Sequence, residues 1–81
     1  MRTVSDLEQR LTAILVRQLR LPDNAMFPHD AQLEDAGLDS LGMLAFIASI
    51  ERDFGVSISD RDYESLRSFG DAVALVERLT R

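Results

Sequence analysis

Apolar side chains recur at helical spacing in three long stretches of this chain and alternate at strand spacing in only one short run. A stripe that repeats about every 3.6 residues buries itself as a helix, not on a pleated sheet. The first stretch carries Leu7, Leu11, Ile14 and Leu15 and extends toward Gln18 and Leu19, with Arg10, Arg17 and Arg20 mostly off the stripe. Ser5-Asp6-Leu7-Glu8 has the form of a capping box, in which hydroxyl and carboxylate each satisfy a free amide. Pro22 stops the helix, and the predicted span is residues 5–20.

The second long helix is predicted from Ser40 to Phe54. At about 100 degrees per residue, Met43, Phe46, Ile47, Ile50 and Phe54 share the core side. Leu41, Ala45, Ala48 and Arg52 fall opposite, with Leu44 at the border. Gly55 suits the left-handed position that ends a helix. Val56-Ser57-Ile58 alternates, but nothing nearby would pair with it, so it reads as an extended linker. Ser59 or Asp60 then caps a short helix over residues 60–66. Ser68-Phe69-Gly70-Asp71 is a second capping box, with Asp in place of Glu. It opens a last helix whose apolar set is Phe69, Ala72, Val73, Leu75, Val76 and Leu79. The expected fold is all-α: a four-helix bundle with three main helices, one short third helix and a long first loop.

That loop, residues 22–39, is punctuated by Pro22, Asp23, Asn24, Pro28 and Gly37. Connections this long in small domains are often functional. Met26, Phe27, Leu33 and Leu38 are spaced to pin it to the core, and residues 31–36 suit a short turn of helix.

With 81 residues there is room for one core but not for a deep substrate cleft beside it. The chain starts at Met1 and ends soon after the last helix, which reads as a stand-alone single domain over 1–81. The absence of cysteine excludes disulfides and thiolate metal sites and fits a reducing compartment. Fourteen acidic residues against nine basic ones give a net charge of -5. That disfavours nucleic acid and favours partners with basic patches. All the basic side chains are arginine, for which we have no physical account. No apolar run approaches the roughly 18 residues that cross a bilayer. The first residues turn acidic and amphipathic at once, unlike a signal peptide, so a soluble cytoplasmic monomer is expected.

Leu33-Glu34-Asp35-Ala36-Gly37-Leu38-Asp39-Ser40-Leu41 delivers one serine to the start of the second long helix. One reading makes Ser40 only a helix cap in a non-catalytic interaction module, since Asp39 and Ser40 are both favoured cap residues. The other starts from the free amides and positive dipole end of a helix start, which favour an anionic group such as a phosphate ester on the serine. Gly37 permits a tight turn before it. Leu38 and Leu41 would anchor either side, with Asp39 capping while Ser40 carries the group.

This segment, followed by Ile50-Glu51-Arg52-Asp53-Phe54-Gly55-Val56-Ser57-Ile58, resembles the acyl carrier protein and peptidyl carrier protein family, whose motif is G-x-D-S-L before an acidic helix end and an F-G-[VI] turn. The helices of nearly the whole chain have counterparts in order. The resemblance implies that Ser40 carries 4'-phosphopantetheine, flanked by Asp39 and Leu41. A phosphopantetheinyl transferase using coenzyme A would place it there. The arm's thiol then holds acyl or aminoacyl groups as thioesters, and the carrier itself is no enzyme. An adenylating or acyl-transferring enzyme loads it, and tailoring or condensing enzymes receive the cargo. Encounters should be weak and fast, with charge steering.

Fatty-acid carriers usually have acidic residues at the positions that here are Gly42 and Ala45. The partner-facing side is instead Leu41, Leu44, Ala45, Ala48 and Arg52. The pattern looks closer to D-alanyl carriers or the discrete carriers of polyketide and nonribosomal peptide assembly lines. Docking is then expected to be apolar on the helix, with steering from Asp30, Glu34, Asp35 and Asp39.

The remaining polar residues read as structural. His29 stands alone, with no second imidazole or thiol to complete a metal site. Asp60, Asp62 and Glu64 lack a calcium-loop pattern and read as a solvated helix start. Met43 is core filler. Asp39 has no histidine or oxyanion hole to make Ser40 a hydrolase nucleophile. A DNA-binding domain would need a basic recognition helix, and Glu51 and Asp53 outnumber Arg52.

Overall fold

The computed structural model of the chain describes residues 4–81, with side chains from Asp6 onward. The capping box expected at Ser5 therefore lies outside the described residues. The elements are α1 (Val4–Leu19), α2 (Leu33–Ala36), α3 (Ser40–Phe54), α4 (Asp60–Ser65) and α5 (Phe69–Leu79), with no strand among the described residues. This is the expected all-α bundle of three main helices and one short one, and α2 is the short turn anticipated in the loop. The expected bounds at 5–20 and 60–66 differ from those of α1 and α4 by a residue at each shifted end. Helix ends fray, so differences of that size are ordinary.

α1 packs against both α3 and α5. Leu7, Leu11, Ile14 and Leu15 meet Phe46, Ile47, Ile50 and Phe54 of α3 and Phe69, Ala72, Val73, Leu75 and Val76 of α5 in one buried cluster. Each large side chain so buried contributes about 1.5–3 kcal/mol. Leu19, Met43 and Leu79 pack on its edge, half-buried. Val56 and Ile58 of the extended linker do the same, and the Ile58 amide donates to the Glu51 carboxylate at 2.8 Å. Arg10 closes one end of the core. Its guanidinium lies 4.0 Å from the Phe54 ring centroid and donates to the Asp53 carbonyl at 2.6 Å.

The helix ends follow the sequence closely. Ser59 caps α4 by accepting from the Asp62 amide, and Ser68 with Asp71 forms the capping box of α5. Gly55 ends α3 at φ 68°, ψ 38°, with both its own amide and that of Val56 bonded to the Glu51 carbonyl. The same motif ends α1 with Arg20 in the left-handed place at φ 56°, and the Leu21 amide reaches back to Val16 at 2.9 Å.

The long loop is stitched to the start of α5. The amides of Phe69 and Gly70 donate to the carbonyls of Ala31 and His29, and the Leu33 amide donates to Arg67. Leu33 and Leu38 are buried, and Phe27 stacks on Phe69 with centroids 5.6 Å apart. Met26 does not pin the loop: it is 87% exposed. Phe27 takes the inward place beside it, and its stacking on Phe69 leaves Met26 facing solvent.

Two polar residues do more than solvate. His29 Nε2 meets the Glu8 carboxylate, and its ring tilts toward Phe69, so it clasps the loop to α1. Asp62 is not simply a solvated helix start: it accepts from Arg78 at 2.6 Å and ties α4 to α5.

Candidate functional site

Ser40 is the first residue of α3 and is exposed. Asp39 at the N-cap accepts from the Gly42 amide at 2.7 Å, and its carbonyl accepts from Met43. The capping work is therefore done by Asp39. The Ser40 hydroxyl and the Ser40 and Leu41 amides meet no partner among the described residues. The start of α5 differs, since Ala31, His29 and Ser68 take up its first amides. Thus α3 keeps open donors and the positive end of its dipole beside an unused hydroxyl, an arrangement that suits a phosphate ester.

The approach to Ser40 is fixed from behind. Gly37 adopts φ 120°, the Leu38 amide reaches the Leu33 carbonyl at 3.1 Å, and the Leu38 side chain is buried. Leu38 anchors the turn as expected, but Leu41 does not, being 77% exposed. The helical wheel explains this: Leu41 lies opposite the core-facing Met43 and Phe46. A depression of about 480 Å³ opens beside Ser40, with Leu33, Leu38 and Met43 on its floor and Tyr63, Glu64 and Arg67 across it. A larger groove of about 840 Å³ runs along the outer face of α1 past Met26 and shares no lining residue with it.

The outer face of α3 carries Leu41, Leu44 (56% exposed), Ala45, Ala48 and Arg52, all exposed and in one helical row. Leu41 and Leu44 are the large apolar side chains that this row leaves in solvent. Arg52 lies across its far end, within 3.3 Å of the Asp53 carboxylate. Asp30, Glu34, Asp35 and Asp39 are exposed on the loop side. Nothing in this region resembles a catalytic triad, and no metal-holding cluster occurs among the described residues. Sequence reasoning missed one contributor. Gln18 of α1 donates to the Gly42 carbonyl at 2.8 Å, directly under the serine-bearing turn. Its helical spacing placed it only beside the core stripe.

The family model for the phosphopantetheine attachment site matches residues 9–76, from within α1 to within α5. The chain belongs to this family of carrier domains, to which 4'-phosphopantetheine is covalently attached and which phosphopantetheinyl transferases and partner enzymes engage.

Proposed function

We propose that this member of the phosphopantetheine-attachment family carries its prosthetic group on Ser40. The observation that carries the reading is the division of labour at the start of α3, where Asp39 caps the helix and leaves the Ser40 hydroxyl exposed and free. The free amides of Ser40 and Leu41 sit where a phosphodiester would gain from them. The depression beside Ser40 gives the arm a place to lie. When attached, the group supplies the thiol that this cysteine-free chain lacks and holds acyl or aminoacyl cargo as a thioester.

The chain performs no chemistry of its own in this reading. It is a single carrier domain over residues 1–81, monomeric and cytoplasmic. Its cargo is an aminoacyl or other short unit of a polyketide or nonribosomal peptide pathway. Gly42 and Ala45 support that subtype, as does the exposed apolar row from Leu41 to Ala48. An adenylating or acyl-transferring enzyme loads it by docking on that row, and tailoring or condensing enzymes use the same face in turn.

The test is intact mass after incubation with coenzyme A and a broad-specificity phosphopantetheinyl transferase. The chain should gain one phosphopantetheinyl group and Ser40→Ala none. A modified Ser40→Ala variant overturns the assignment.

A further inference from the structure

We infer that Gln18 is a positioning residue for the modification of Ser40, an inference that rests on the reading of Ser40 given above. Within the turn that bears Ser40, residues 40–43, Met43 alone packs against the core. Leu41 points to solvent, and Gly42 has no side chain. A Cβ at residue 42 would sit 3.1 Å from Asp39 Oδ1 and 3.3 Å from Leu38 Cδ2, so the turn cannot be held by a larger residue there without displacing the cap. The handle is the backbone instead. Gln18 Nε2, from the last turn of α1, donates to the Gly42 carbonyl at 2.8 Å across a separation of 24 residues. Asp39 holds the same residue by its amide at 2.7 Å. Gly42 is thus gripped at both polar atoms, one from within the site and one from α1.

The grip has a cost that a purely stabilising contact would not carry. Gln18 Oε1 is buried and meets no donor among the described residues. A leucine of similar size would remove that orphan acceptor. Gln18 therefore trades stability for a fixed first turn, which sets the direction of the Ser40 hydroxyl relative to the docked transferase.

The experiment uses Gln18→Leu in the full chain, with coenzyme A and a phosphopantetheinyl transferase. The melting temperature should equal or exceed that of the parent. The kcat of transfer should fall about two- to tenfold, the range of one side-chain hydrogen bond, with KM for the carrier unchanged. Faster amide exchange over residues 40–43 should accompany it. Gln18→Asn, whose shorter amide cannot reach Gly42, should slow transfer likewise and serves if the leucine variant does not fold. Transfer at the parent rate overturns the inference, as does a loss explained by a smaller folded fraction. Peptide mapping separates the two readings. A group found elsewhere than on Ser40 overturns both, whereas a group on Ser40 at an unaltered rate overturns only the role of Gln18.

Discussion

Arg20 and Gly55 occupy the same kind of place, the left-handed residue just past a long helix, at φ 56° and φ 68°. Only glycine reaches that conformation freely, and another L-residue costs about 1 kcal/mol or more there. The sequence solves the problem at α3 and leaves it unsolved at α1. Arg20→Gly should therefore raise stability by about 0.5–1 kcal/mol in urea unfolding. Gly55→Ala should lower it by about 1 kcal/mol, and because a Cβ there would meet nothing within 4 Å, the loss is backbone strain alone. A neutral result at either position would mean that the backbone relaxes out of the left-handed region.

At the scale of elements, the start of α5 joins the long loop to the core, and two changes probe it. Helix propensity favours alanine over glycine at residue 70. Tertiary geometry forbids it: a Cβ there would lie 2.8 Å from the His29 carbonyl oxygen, which already accepts from the Gly70 amide. Gly70→Ala should cost about 1–3 kcal/mol by thermal melting, the usual range for overpacking. Asp71 closes the capping box. Chiefly the Ser68 amide, aided by the Arg67 amide, the Ser68 hydroxyl and the Arg67 charge, lowers its pKa below 3.8 despite partial burial. A carboxylate with a lower pKa folded than unfolded binds fewer protons in the native state. Its stabilisation is whole at neutral pH and fades as the pH falls below about 4. Asp71→Asn should be less stable at pH 7 and show a shallower loss on acidification. An acid profile identical to the parent's would assign the acid sensitivity to other carboxylates.

Across the whole molecule, one face of α3 is spent on the core and the other is left apolar in solvent. Leu41 and Leu44 stand exposed on that outer face, in a chain whose net charge is -5. In the proposed reading, Ala45→Glu places an uncompensated carboxylate in the middle of the docking row. Loading by the cognate enzyme should then drop about fivefold or more in kcat/KM, from the desolvation of one charge at an apolar contact. Circular dichroism should stay unchanged, because Ala45 is exposed. Loading at the parent rate would move the docking surface elsewhere.

The sequence by itself determined the helices, the N-caps of α3, α4 and α5 and the serine at the head of α3. Those features depend on interactions within a turn or two: apolar periodicity, Ser68 against Asp71, Gly55 after Phe54, Asp39 before Ser40. Only the tertiary structure decided which loop side chains face inward and what holds the serine-bearing turn. Met26 and Phe27 are adjacent and equally apolar, and Phe69, far along the chain, selects Phe27. Nothing local marks Gln18 for Gly42, Glu8 for His29 or Asp62 for Arg78. Each pairing forms only once α1, the loop and the later helices share one core, and the hydrophobic pattern that drives that packing carries no record of which polar groups will meet.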